Sequence, residues 1–286
     1  MRHRLDLRIG PVTFRIGSDW RAPLDALRRL YAAYPAPDPV ADFTVRLAAE
    51  RPWRRLIRPS VAIGGDYVLP DAAPVALAHG LLAAEMGMNL QMALGQRRFL
   101  LLHASAAERD GRALLMTGHS GAGKSTLAAL LGERGWRFLG DEFALVDLDS
   151  GALHPFPRAI SLKNEALGLF GDVEAERLGP ILDGTPKGRI RHLRPRAEAI
   201  ARMDEIARPA LILFPRFGRD LVRAIRPVGA AEAFVRLTQA STNYVALAER
   251  GFDPLSGLVT KVPARAIDYP DTEAAMALVD ELWSAP

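Results

Sequence analysis

The stretch MTGHSGAGKSTLAALL, residues 116–131, contains GHSGAGKS, which satisfies G-x-x-x-x-G-K-[ST] at every position from Gly118 to Ser125. That spacing grips phosphate. Glycines let the backbone wrap closely with its N–H groups pointing inward, and the N-terminus of a following helix adds positive potential. On this reading Gly118, His119, Ser120, Gly121, Ala122, Gly123, Lys124, Ser125 and Thr126 bind a nucleoside triphosphate. Lys124 reaches the β- and γ-phosphates, and Ser125 helps to hold Mg2+. The context agrees, because RALLMT supplies a strand before the loop and STLAALLGERG a helix after it. No base-reading motif separates ATP from GTP.

A magnesium site needs an acidic residue near the end of a neighbouring strand. WRFLGDE places Asp141 seventeen residues after Lys124, just beyond a short apolar run, with Glu142 beside it. Asp141 is therefore a metal ligand together with Ser125, and Asp141 or Glu142 is the catalytic base. His103, in LLLHASA, would by residue type alone read as a core histidine. The segment DGTPKGRIRHLRP carries glycine, proline and base without periodicity, which predicts a mobile loop. Its Lys187, Arg189 and Arg191 are candidate phosphate or substrate contacts.

Taken together, these residues resemble the catalytic domain of HPr kinase/phosphorylase and its kinase-only relatives. The likeness runs from about Leu100 to Asp147, with weaker echoes to 245. His103 lies fifteen residues before Gly118, as the family's active-site histidine does; the loop has the form G-x-S-G-x-G-K-S; and RGWRFLGDE is similar to the family's arginine, glycine, short strand and acidic pair. The resemblance implies an active-site role for His103. It matches Asp141 and Glu142 to two adjacent aspartates, the second of which is the general base; here that position is glutamate. Arg226-Pro227 and Asn243-Tyr244 are similar to a family segment in which a basic RPGRN-type motif precedes a helix. Gly229, Ala230 and Ala231 replace its basic part, which serves phosphorolysis, so a kinase without phosphorylase activity is expected. Glu165 is the nearest acidic candidate for the family's later magnesium-binding glutamate. The family's hexamers leave homo-oligomerisation open.

The elements that must position these groups read as α/β: a P-loop kinase core of the HPr-kinase/PEP-carboxykinase-like type, a mixed sheet flanked by helices, with an N-terminal α+β lobe. The division expected is 1–95 for the lobe, which can specify substrate, and 96–286 for the catalytic domain. In the lobe, residues 3–17 alternate around Gly10-Pro11 as a hairpin. Ser18 or Asp19 caps a helix of Leu24, Leu27, Leu30 and Tyr31. Strands follow at 42–48, 61–64 and 66–69, then a helix over 74–94. Trp53, Arg54, Arg55 and Arg58 read as a solvated segment with arginine packed on tryptophan. From 98 onward short apolar runs alternate with turns, as in a buried sheet. The tail offers strands in ALILF and LVRAI, a helix near 230–248 and another from about 271 to 284.

Composition narrows the classes. Of 286 residues 49% are hydrophobic and 24% charged, so a sizeable core is available. The absence of cysteine rules out disulfides and thiolate metal sites. The charge of +4 is spread among interspersed acids and bases, which argues against a nucleic-acid partner. Neither a signal-peptide h-region nor ~18 uncharged apolar residues in a row occurs, so the expectation is cytoplasmic, without a membrane. The acceptor expected is a Ser or Thr of a small carrier protein or peptide. A small-molecule kinase, for example of free serine, and a nucleotide-binding switch or ATPase stay open as alternatives.

Overall fold

The computed structural model describes residues 2–284. The chain is mixed α/β, with four sheets and helices, and divides into two compact units: 1–96 with 159–194, and 97–158 with 195–286. The chain thus changes unit three times, after residues 96, 158 and 194, and 159–194 groups with the N-terminal segment.

In the first unit, His3–Ile9 and Val12–Ser18 form the expected hairpin, with Ile9 opposite Val12 across Gly10-Pro11. Phe43–Ala49, Ser60–Gly65 and Val75–Ala76 complete a five-stranded sheet. The expected strand at 66–69 does not form. Its place is taken by Val75–Ala76, which pairs with Ser60 and Val61. The first helix, Arg21–Leu30, buries Leu24, Leu27 and Leu30 but has Trp20 at its N-cap; the Ser18 hydroxyl instead accepts a bond from the Trp20 N–H, 3.0 Å. The second helix, Gly80–Gly95, is shorter than expected and buries Leu81, Met88 and Met92 against strands Phe43–Ala49 and Ser60–Gly65.

A buried tyrosine is one of the ties between the excursion 159–194 and the rest of this unit. Tyr31 donates its hydroxyl proton to Glu85, 2.9 Å, and accepts the Ala159 N–H at 3.3 Å. The excursion then builds a three-stranded sheet from Ile160–Lys163, Gly188–Leu193 and Leu178–Thr185. The predicted loop of the 180s is thus a β-hairpin. Thr185 closes its turn by donating to the Gly188 carbonyl, 2.6 Å, a local bond that a count of glycine and proline does not reveal.

The second unit holds a six-stranded mixed sheet in the order Ala224–Val228, Ala264–Tyr269, Arg208–Phe217, Arg112–Thr117, Ala104–Arg109, Arg137–Gly140. The second to fourth of these, from Ala264–Tyr269 to Arg112–Thr117, run parallel. Ala104–Arg109 is antiparallel to both of its neighbours. Strand alternation sends Leu115, Ile212, Phe214, Ala264 and Ala266 into one core with helices Ala230–Ala240 and Glu249–Lys261. That core also takes Leu100, Leu102, Ala144 and Val146 from a small sheet of Phe99–Leu102, Ala144–Asp147 and Leu153–His154. Helices Lys124–Glu133 and Thr272–Ser284 pack on each other. The helix expected near 230–248 breaks after Ala240, and Asn243, at the start of the short helix Tyr244–Leu247, is a buried clip: it donates to the Phe99 carbonyl at 2.8 Å and accepts the Leu101 N–H at 2.9 Å.

One charged pair lies inside this unit. Arg137 and Glu108 approach to 2.5 Å with side chains 2% and 3% exposed. Arg137 also donates to the Arg202 and Glu205 carbonyls, both at 2.8 Å. Removing one partner strands the other's charge away from water. Glu108→Ala is expected to lower stability by about 3–5 kcal/mol, read as a shift of the urea-unfolding midpoint; an unshifted midpoint would show that water reaches Arg137.

Candidate functional site

The glycine-rich loop joins strand Arg112–Thr117 to helix Lys124–Glu133. Gly118, Gly121 and Gly123 all have positive φ, at 155°, 85° and 91°. Gly123 is the N-cap of the helix, and no side chain caps that end. The leading N–H groups are thus directed along the loop without an internal side-chain acceptor. A Cβ on Gly123 would run into the Tyr269 hydroxyl. That hydroxyl donates to the Ala122 carbonyl, 3.1 Å, so the last strand of the sheet pins the loop from one side. Burial pushes the Tyr269 pKa up and keeps it a donor. Pro215 and Phe217, at the end of the neighbouring strand, also border Gly118 and Gly123.

Lys124 is 7% exposed and folds back over the loop. Its ammonium donates to the carbonyls of Gly118, 2.7 Å, and His119, 3.0 Å. Ser125 and Thr126 follow it at the helix start, half-buried. His119, Ser120 and Gly121 form the exposed crest.

The acidic pair follows strand Arg137–Gly140, two strand positions away in the sheet order from the strand that enters the loop. With strands ~4.8 Å apart this is roughly 10 Å of backbone separation. Asp141 is 4% exposed and accepts the Ser105 hydroxyl at 2.6 Å. Ser105 belongs to the intervening strand Ala104–Arg109, opposite Met116. Glu142 is different: its φ is 72°, and its side chain is 31% exposed. The His103 ring meets it twice, Nδ1 lying 3.1 Å from the Glu142 carbonyl and 3.5 Å from its carboxylate. The His103 carbonyl accepts the Thr117 hydroxyl at 3.1 Å, tying the histidine to the residue just before the loop.

His103, the loop, Asp141 and Glu142 thus belong to one compact unit. Lys187, Arg189 and Arg191 belong to the other. There Arg189 pairs with Asp183 at 2.6 Å and Arg191 donates to the Gly179 carbonyl at 2.9 Å. Glu165 also lies in that unit, in the 3-10 segment Asn164–Phe170.

Sequence reading missed Ser105 and Tyr269, and it missed a basic pair built on Asp268. That carboxylate is 4% exposed and binds Arg216 at 2.9 and 2.6 Å and Arg226 at 2.6 and 3.3 Å. The guanidinium of Arg226 first, then that of Arg216, lowers its pKa to about 2. Only Arg226 had a signal, in its Arg-Pro pair. The others are fixed by strand register, which no local pattern records.

As for a cofactor, the donor set suits a magnesium nucleotide: a lysine ammonium and uncapped helix N–H groups for phosphate, a serine hydroxyl and a buried carboxylate for a hard cation. Among the described residues no group of three or more His, Cys, Asp or Glu could hold a metal, so a Mg2+ here would take its remaining ligands from phosphates and water. No helix among them is long and apolar enough to cross a membrane.

A family model described as SynChlorMet cassette protein ScmC matches residues 82–182, a stretch that includes His103, the loop and the acidic pair. Among solved structures, the Hpr(Ser) kinase/phosphatase from Coxiella burnetii aligns over 64% of this chain and 93% of its own, at 13% identity and a TM-score of 0.28. No curated protein matches.

The Asp268 pair has a measurable acid signature. Its folded pKa lies below the ordinary ~3.9 of an unfolded aspartate. Its contribution is therefore complete above pH ~4 and is lost as pH falls towards 2. Both arginines are more than half exposed, which limits the gain to about 1 kcal/mol. Asp268→Asn should flatten the fall in thermal stability between pH ~4 and ~2; an unchanged acid limb would remove the pair from the account.

Proposed function

We propose that this chain is a magnesium-dependent kinase that transfers the γ-phosphate of ATP or GTP to a Ser or Thr hydroxyl of a small carrier protein or peptide. The observation that carries the reading is the grouping, in one compact unit, of the Lys124 loop with two adjacent carboxylates held in different ways and with His103 against the second. Its P-loop core would be of the HPr-kinase-like type suggested by the motif spacing.

Phosphoryl transfer asks a protein mainly for alignment and for relief of charge on the transferring group. Lys124 would exchange its two carbonyl acceptors for phosphate oxygens. Ser125 and Asp141 would hold Mg2+, which neutralises phosphate charge when bound. Asp141 suits that task because the Ser105 bond and burial fix its position. Glu142 suits the base: it is exposed to an incoming hydroxyl, and His103 orients it. A carboxylate is a weak base for serine, and it suffices only because the proton leaves late in a loose transition state. His103 can also donate to the phosphate. At the position of the family's phosphorolytic base, Gly229 caps the helix Ala230–Ala240, so pyrophosphate-driven dephosphorylation is not part of the proposal.

Radiolabelled ATP incubated with cell lysate and the protein reads all branches at once. The expected result is a labelled protein band that disappears with Lys124→Ala. Glu142→Gln should retain nucleotide binding and lose about 10²- to 10⁴-fold in rate. A labelled small molecule would redirect the acceptor to a metabolite such as free serine, and labelled phosphate alone would favour the ATPase or switch. Absence of any magnesium-nucleotide affinity in the wild type would end the reading.

A further inference from the structure

The first unit contains a groove of about 870 Å³ that the phosphotransfer reading leaves unused. Its walls come from helix Arg21–Leu30 through Ala22, Pro23 and Ala26, from the turn at Leu77 and Leu81, and from Leu182 of the strand Leu178–Thr185. Its lining is mostly alanine, proline and leucine, with Ser60 among them and Arg58 at the rim. The walls are tied together: His79 meets the Asp183 carbonyl at 2.9 Å, and the Leu77 N–H donates to the Pro59 carbonyl at 3.0 Å. The volume lies within the ~300–1,000 Å³ of sites that bury a ligand.

The rim runs straight into the segment 51–58, RPWRRLIR, which holds four arginines and no acid. Three large apolar side chains there face water: Trp53 is 52% exposed, Leu56 87% and Ile57 65%. The segment is nonetheless fastened down. The Trp20 indole donates to the Arg55 carbonyl at 3.1 Å, and Arg55 donates to the Asp19 carbonyl at 3.3 Å. Arg54 bonds the Arg58 carbonyl, and Arg51 lies over the Trp53 ring at 5.3 Å. None of these four guanidinium groups meets a carboxylate, whereas Arg21, Arg28 and Arg189 elsewhere in the unit each do. An apolar trough edged by unneutralised cations and uncovered aliphatic groups calls for an occupant with apolar side chains to bury and negative charge at its margin.

We propose that this groove and the 51–58 rim bind an acidic peptide segment that inserts large apolar side chains between helix Arg21–Leu30 and the Leu77–Leu81 turn. A concave trough suits a protruding chain better than a flat bilayer, and Ser60 is the one neutral polar side chain in its lining, too little to read bases. The assignment goes beyond the phosphotransfer reading and does not depend on it; if both hold, the peptide is the acceptor's docking segment.

The test is selection from a displayed library of random twelve-residue peptides on the full chain. Enriched peptides should combine Asp or Glu with large apolar residues, and a fluorescent copy should bind more weakly as salt rises. Arg51→Glu with Arg58→Glu should weaken it about tenfold. Ala22→Trp, at an exposed position on the groove wall, should abolish binding. Unchanged thermal unfolding checks that both variants fold. The proposal is overturned by no enrichment over Ala22→Trp, by a neutral or basic consensus, or by the two arginine reversals releasing phosphatidylserine vesicles or an oligonucleotide in place of peptide. A fluorescent ATP analogue titrated in parallel keeps the readings apart, since loss of nucleotide affinity in the wild type sinks the kinase and leaves the groove standing.

Discussion

The contact between Tyr269 and the backbone at Ala122 and Gly123 governs the candidate site. A tyrosine hydroxyl can come this close to a helix start only if the residue there has no Cβ and accepts a left-handed φ. Glycine meets both conditions, and the hydroxyl then restrains the loop through the Ala122 carbonyl. Lys124 is consequently the first residue of its helix, placed so that its ammonium curls over the loop carbonyls. Without that anchor from the far strand, the loop's three positive-φ glycines would make it costly to order, because glycine loses more backbone freedom than any other residue. The sheet carries that cost through its parallel strands, whose ends at Phe217 and Tyr269 both reach the loop.

Electrostatics around those strand ends points the same way. Asp268, the residue before Tyr269, is nearly inaccessible and draws two arginines from neighbouring strands. One buried negative charge thus orders two exposed positive ones on the same sheet edge that ends at the loop. Arg137 and Glu108 serve a different purpose at the other end of the sheet. There both charges are buried, and Nη1 of the arginine donates to the carbonyls of 202 and 205. The first arrangement leaves its guanidinium groups half-exposed to solvent, and the second encloses its own.

What the sequence disclosed follows from how local each constraint is. The strand–loop–helix from Arg112 to Glu133 was legible because an apolar run, glycines at fixed offsets and a helical run follow one another locally. The hairpin at Gly10-Pro11 was legible because alternation and a turn signal coincide. The helix Glu249–Lys261 was not, since Gly251, Pro254 and Gly257 read as breakers; burial of Leu255, Leu258 and Val259 against the sheet overrides them. The hairpin of the 180s failed for the same reason, its glycines being turn residues and not signs of disorder. The passage of 159–194 into the first unit had no sequence mark at all, because it rests on contacts between segments far apart in the chain, such as Tyr31 meeting an amide 128 residues away. Ser105 and Asp268 were hidden likewise: each acts through a partner that only strand register brings near.

The acidic pair shows how two neighbouring carboxylates acquire separate environments. At Gly140 a Cβ would lie 2.9 Å from the Phe143 carbonyl and 3.2 Å from that of Phe156, so the chain can turn sharply here only on glycine. The Phe156 N–H, bonded to Leu139 at 2.6 Å, holds the outer side of the turn. The turn forces Glu142 into the left-handed region, at roughly 1–2 kcal/mol for a residue other than glycine. That strain is offset by the surrounding bonds, and its effect is directional. Asp141 is driven inward to the Ser105 hydroxyl, while Glu142 is left at the surface beside His103. A relaxed extended backbone would also send consecutive side chains to opposite faces, but it would not bring the Glu142 carbonyl and carboxylate to the same imidazole nitrogen. One fixed carboxylate and one accessible carboxylate within a single dipeptide is the division that the proposed metal binding and proton removal would require, and under that proposal the strained residue is the one placed to meet a substrate.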